Sequence, residues 1–206
     1  LSVSKFLLNL PTKITKKMNK VLILFVIIAA LSSCRDYTPK PKAFPKVDYP
    51  SRQYEQINVD CPFSFEIPTY AELVNYKDQN QPCWYNIHYP QFNATLHLSY
   101  LPIDGISGLD SLSEDAYQMV FKPHIKMADE IIEREISDST KGLIGMIYDL
   151  EGKTATPLNF YISDSKNHFF RGSFYFNSKT NRDSILPIYK FINEDIMHSI
   201  QTFEFK

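Results

Sequence analysis

The rhythm of hydrophobic and polar positions changes along this chain, and each rhythm predicts its own kind of element. Val21 to Leu31 is apolar or small at every position. Residues 35–60 then carry Pro39, Pro41, Pro45 and Pro50, a density that favours extended polyproline-like chain over packed helix. From Cys61 the period is two. Phe63, Phe65 and Ile67 alternate with Pro62, Ser64 and Glu66; Tyr85, Ile87 and Tyr89 alternate with Trp84, Asn86 and His88. Phe92, Ala94, Leu96, Leu98 and Tyr100 share one side of the next run, with Thr95, His97 and Ser99 on the other. Such alternation marks half-buried antiparallel strands. Residues 110–130 switch to helical spacing through Leu112, Ala116, Met119, Val120 and Met127. Ser111 or Ser113 is placed to cap this helix, and Pro123 should kink or end it. Strand pattern returns over Ile131–Ile136, Leu143–Leu150, Leu158–Ser163 and His168–Asn177. Ile185, Tyr189, Ile192, Ile196 and Ile200 then make a helical stripe, with Asp183 or Ser184 as cap and Pro187 expected in the first turn.

Two or three strands, a helix, four strands and a helix predict an α+β layering: an antiparallel sheet with helices packed against it. That order, closing on IMHSIQTFEF, resembles the PsbP/Mog1-type sandwich.

The first apolar run has a different destination. Eleven residues extend about 16 Å as a helix, and spanning a bilayer takes ~20 residues, so the run reads as the core of a signal peptide. Lys16, Lys17 and Lys20 supply its positive flank. Leu31-Ser32-Ser33-Cys34 resembles the bacterial lipobox, which implies acylation of Cys34 as the mature N-terminus. The small residues let a peptidase fit the backbone, and a thiolate is the nucleophile that accepts the lipid. Met18 is the expected start, with residues 1–17 read as over-called translation. The expected plan is a signal peptide over 1–33, a lipidated Pro-rich stalk over 34–60 and a single α+β domain over 61–206. The stalk reads as a semi-rigid spacer or as a docking strip.

Charge narrows the partners. Residues 1–33 hold five lysines and no acid, so the remainder keeps 17 of the 22 basic residues against all 23 acidic ones, a net charge of −6. That balance argues against nucleic acid and against a polybasic membrane contact. Cys61 and Cys83 remain after Cys34, and in an exported, oxidising setting an even pair suggests a disulfide. Two separate buried thiols or a redox couple are the alternatives, the latter without C-x-x-C spacing.

Candidate chemistry is sparse. His88 and His97 fall on the polar faces of neighbouring strands, but no third ligand at recognisable spacing joins them, so no metal or cofactor is expected. His124 follows Pro123 at a helix break, and His198 lies near the end of the last helix, where a cation suits the dipole. Ser163, Asp164, Ser165 and His168 crowd one stretch, yet consecutive turn formers do not present a triad. Asp149 and Glu151 share one face of a strand ending at Gly152; they fit a solvated strand end better than an acid–base pair. No catalytic residues are assigned. Phe169, Arg171 and Tyr175 point away from the Phe170, Gly172, Phe174 and Phe176 face. Aromatics and arginine dominate interface energetics, so this set is the candidate partner contact unless a helix covers it.

Several stretches together resemble the GldD family of gliding-motility lipoproteins from Bacteroidetes. They are Cys34 followed by YTPKPK, then CPFSFE, PCWYNI, LHLSY, YDLEG, FFRGSFYFN, and FINEDI ahead of TFEF. The resemblance covers most of the chain after Cys34. It implies a component attached to the outer membrane by its lipid, facing the periplasm, and required for gliding and the linked type IX secretion system. It implies other envelope proteins of that machinery as partners and no enzymatic activity. Lipidation maps to Cys34, and Cys61 and Cys83 sit within family-like motifs. Two other function classes fit the residues: a periplasmic small-molecule or glycan binder using aromatic faces, and an envelope hydrolase using Asp149 and Glu151.

Overall fold

The computed structural model describes residues 46–76, 81–152, 154–178 and 182–206, together with Leu22. The chain divides into units 1–43 and 44–206. The signal peptide, Cys34 and the first part of the stalk lie outside the described residues, and the architecture below is that of the second unit.

Eleven strands and two long helices follow one another along that unit. β1 (Tyr54–Gln56), β2 (Phe63–Ser64), β3 (Glu66–Pro68), β4 (Glu72–Asn75), β5 (Tyr85–Tyr89) and β6 (Ala94–Pro102) precede helix α1 (Gly105–His124). β7 (Ala128–Asp138), β8 (Leu143–Gly152), β9 (Leu158–Ser163) and β10 (His168–Phe176) precede helix α2 (Arg182–Thr202), and β11 (Glu204–Phe205) closes the chain. β4-β5-β6-β10-β9-β8-β7 form one seven-stranded sheet. All its pairings are antiparallel. Short antiparallel ladders join β1 to β3 and β2 to β11. The antiparallel α+β layering is therefore the one the periodicity predicts.

Register explains the core. Phe170, Gly172, Phe174 and Phe176 lie across from Tyr100, Leu98, Leu96 and Ala94 on β6, and Phe170, Gly172 and Phe174 across from Ile162, Phe160 and Leu158 on β9. This first face packs against Tyr189, Ile192 and Ile196 of α2 and against Phe63, Phe65, Ile67 and Phe203. Ile192 and Ile196 are fully buried there. Each fully buried large apolar side chain contributes roughly 1.5–3 kcal/mol, so this layer outweighs any other single contribution. Gly172 is required at its position, because a Cβ there would stand 2.2 Å from the Phe160 ring. On the opposite face α1 packs over β8 and β9, through Val120 and Phe121 against Tyr148, Leu150, Met146 and Tyr161.

Four expectations change. The run 61–67 is two strands, not one, because β2 and β3 turn to different partners, β11 and β1. α1 starts at Gly105, ahead of both serines. Gly105 has φ +63° and donates its N–H to the Lys166 carbonyl, so the neighbouring hairpin fixes the helix start. Ser113 is internal and donates back to the Asp110 carbonyl at 3.1 Å. α2 begins at Arg182, so Pro187 lies beyond its first turn. Lastly, the described end of the expected stalk, residues 46–60, belongs to the body. Ile57 is buried in the core, Val47 packs against it, and β1 is a paired strand. Proline density predicts extended chain correctly there but cannot say whether that chain finds a surface.

Cys61 and Cys83 are joined by a disulfide with their Cα atoms 5.9 Å apart, closing a separation of 22 residues between the start of β2 and the approach to β5.

Gly172→Ala should lower unfolding free energy by about 1–3 kcal/mol through overpacking against Phe160. Urea denaturation of the variant beside the parent chain measures it.

Candidate functional site

The outward strip of β10 divides in two. Phe169 is fully buried and stacks on Tyr161 with ring centroids 5.2 Å apart. It is therefore a packing residue and is removed from the candidate contact set: α1 shields this end of the sheet, and aromatic identity alone did not reveal that. Arg171 and Tyr175, further along the strand, are only half-buried. Arg171 donates from Nη1 to the Met119 sulfur of α1 at 2.7 Å. Burial pushes its guanidinium below the ordinary arginine range, while the charge of Asp115 pulls the other way.

Around Arg171 the same face presents side chains from β5 and β6. Ser99 is directly across the ladder, and Ser173 pairs with His97 one step along. His97 hydrogen-bonds through Nδ1 to Asn86 Oδ1 at 2.7 Å. Burial, then the Arg171 charge, hold its imidazole below the ordinary histidine range, so it is neutral at neutral pH. Trp84 and Tyr76 stand over His97, with Trp84–His97 and Tyr76–His97 centroids 5.8 and 5.4 Å apart. Trp84 donates Nε1–H to the Tyr100 carbonyl at 3.0 Å, which fixes the indole. The hydroxyl of Ser99, 1% exposed, has no hydrogen-bond partner among the described residues. The result is a shelf of one cation, one neutral imidazole, one buried hydroxyl and two aromatic walls.

The remaining candidates are held in structural bonds. His88 and His97 do not share a partner: His88 bonds Thr95 Oγ1 at 3.0 Å, and Thr95 in turn donates to Asn177. Among the described residues no group of three or more His, Cys, Asp or Glu is placed to hold a metal. His124 is buried and bonds the Val120 carbonyl and Thr156. His198 reaches Glu66 at 2.7 Å and stacks on Tyr54. Asp164 accepts the backbone N–H groups of Lys166, Asn167 and His168, while Ser163 donates to the His168 carbonyl, so the serine–aspartate–histidine stretch is a tight turn. Asp149 accepts from Tyr189 Oη at 2.8 Å and pairs with Arg134 at 3.6 Å, whereas Glu151 is exposed beside Glu130. A void of about 10 Å³ beneath α2, lined by Phe65, Leu96, Phe160 and Phe203 among others, is too small for an organic ligand.

One cluster was not foreseen from sequence. Asp195, fully buried on α2, accepts from Arg52 Nε at 3.2 Å, from Tyr54 Oη at 2.9 Å, and from Tyr70 through a short bond. Burial pushes its carboxyl above the ordinary aspartate range and the three donors pull it back. Arg52 also pairs with Glu194 at 2.5 Å, donates to the Phe191 carbonyl, and lies 4.3 Å over the Phe191 ring. The available signal was an aspartate beside Ile196 at the edge of the apolar stripe. Two of its partners, Arg52 and Tyr54, lay in a segment read as stalk.

Residues 34–205 match the family model of gliding motility lipoprotein GldD. The chain belongs to the GldD family. It is thus a gliding motility lipoprotein by family, and the matched span opens on Cys34. No curated protein matches it. Among solved structures it is similar to the solution structure of cyanobacterial PsbP (CyanoP) from Synechocystis sp. PCC 6803. That likeness has 8% identity and a TM-score of 0.45, over 79% of this chain and 98% of that one. Among the described residues of this GldD-family chain, no helix is long and apolar enough to cross a membrane.

Asp195→Ala should cost about 2–4 kcal/mol, because it leaves the Tyr54 and Tyr70 hydroxyls without their acceptor while Arg52 keeps Glu194 and the Phe191 carbonyl, whereas Tyr70→Phe should cost only about 1 kcal/mol. Denaturant titration separates the two. For His97 the folded value lies below the unfolded one of 6.5, so its stabilising contribution is present above 6.5 and is lost as pH falls through the folded value. His97→Gln should accordingly flatten the fall in melting temperature on acidification from neutral pH.

Proposed function

We propose that this chain is a non-catalytic scaffold or assembly component of the gliding-motility apparatus and its linked type IX secretion system. In this reading acylated Cys34 moors it to the outer membrane on the periplasmic side. The observation that carries the reading is where the family match begins. It opens on the cysteine that ends the apolar run, the residue at which the acylated chain is expected to start. Each buried CH₂ of an acyl chain contributes ~0.8 kcal/mol to membrane partition, and two or three chains make a durable anchor.

A non-catalytic role is supported by how the chemistry-bearing side chains are used. Asp149, Asp164, His124, His168 and Asp195 are each bonded into turns, ladders or helix contacts. The partners fitting this role are other envelope proteins of the same machinery. The surface offered to them is the half-buried shelf around Arg171 and Tyr175.

Cys34→Ser should abolish incorporation of an alkyne-tagged palmitate, move the protein out of the membrane fraction and stop gliding, while Asp149→Ala with Glu151→Ala should leave gliding intact. A Cys34→Ser protein that still carries label and supports gliding would defeat the reading.

A further inference from the structure

We propose that the Arg171 shelf is a receptor for a single side-chain carboxylate, a glutamate or aspartate presented by a partner protein, seated on the guanidinium and bounded by Trp84 and Tyr76. This rests on the scaffold reading above and adds the chemistry of its contact.

The Arg171 guanidinium has unspent hydrogen-bonding capacity. A guanidinium offers five N–H donors in a rigid fork. Among the described residues Arg171 spends one of them, on the thioether of Met119, a weak acceptor. Asp115 is close enough to be felt electrostatically but makes no ion pair with Arg171. A half-buried cation in this condition has lost part of its hydration without regaining charge-assisted bonds, and a carboxylate matches its fork two bonds at a time.

Independently of Arg171's own bonding, Ser99 lies directly across the ladder from it on the same face, is 1% exposed, and its hydroxyl has no partner among the described residues. Leaving a buried hydroxyl unsatisfied costs free energy, and such groups call for an explanation. A second donor aimed from the sheet at the same face as the guanidinium is what an oxyanion would use.

Charge and shape select a carboxylate on a protein over a phosphate. The shelf holds one formal positive charge, since His97 is kept neutral there, and the chain after residue 33 carries a net −6. One cation within an acidic body suits a monoanion. Trp84 and Tyr76 provide flat apolar walls for the residues that flank the carboxylate, a combination typical of protein contacts.

Trp84 is the single tryptophan, so the site carries its own reporter. The detergent-solubilised full chain would be titrated with a short glutamate-containing peptide blocked at both ends as acetyl and amide, the same blocked peptide with glutamine, and inorganic phosphate, following Trp84 emission. Saturable change with the glutamate peptide alone is expected. Arg171→Gln should weaken it by about 10- to 100-fold, the range for a lost charge-assisted bond. Ser99→Ala should weaken it several-fold without lowering the melting temperature, because the hydroxyl removed had no internal partner. Equal response to the glutamine peptide, saturation by phosphate, or an unchanged response in Arg171→Gln would each overturn the proposal. In cells, crosslinking from Tyr175 tells the two readings apart. Envelope neighbours captured equally by the parent and Arg171→Gln chains would reject the carboxylate receptor and keep the scaffold. Loss of capture specific to Arg171→Gln supports both.

Discussion

The architecture depends on one apolar contact, the aromatic face of β6, β10 and β9 pressed against α2 and the β2–β3 segment. Phe170, Phe174, Phe160, Phe63, Phe65 and Phe203 meet there at mutual centroid separations such as 4.9 Å for Phe63–Phe170 and 4.8 Å for Phe170–Phe203. Rings of that size fill space only if one position in the layer yields, and Gly172 is that position. The short β2–β11 ladder and the 203–205 tail are consequences of the same contact. They wrap the end of α2 back over the sheet so that Phe203 and Phe205 can close the layer.

That contact also decides how residues 46–60 join the body. Because α2 lies with its apolar stripe on the sheet, its flank carries Phe191, Glu194 and Asp195 toward residues 49–56. Tyr49 packs at a tilt against Phe191 with centroids 4.6 Å apart, and Arg52 and Tyr54 take the carboxylates. A buried carboxylate with an arginine and two hydroxyls is a specific joint more than a source of net stability, since desolvation offsets much of the attraction. Its effect is directional. Residues 49–56, which include β1, are held along α2 at a fixed place ahead of the disulfide-bonded Cys61.

The opposite face of the sheet is where function has room. α1 packs over β8, β9 and part of β10, and the residues beneath it, Phe169, Tyr148 and Leu150, belong to the interior. Where that cover gives out, the alternation of β10 continues as Arg171, Ser173 and Tyr175 beside His97 and Ser99. The same strand thus supplies packing at one end and unspent polar groups at the other. Its role changes with the position of a helix that lies elsewhere in sequence.

Periodicity determined which residues share a face. The strands β5, β6, β8, β9 and β10, the apolar stripe of α2 and the Phe170–Phe176 core face all follow from alternation or from 3.6-residue spacing, which are local consequences of backbone geometry. The motif strings and the cysteine closing the apolar run likewise carried the family on their own. Tertiary structure alone decided what each face meets. Sequence could not show that α1 buries Phe169 and spares Tyr175, that residues 46–60 leave the stalk for the core, or that Asp195 collects Arg52, Tyr54 and Tyr70. Those outcomes depend on contacts between segments distant in sequence, Arg52–Asp195 among them at a separation of 143. Local pattern records which side of a strand is apolar; it holds no record of which distant surface arrives to cover it.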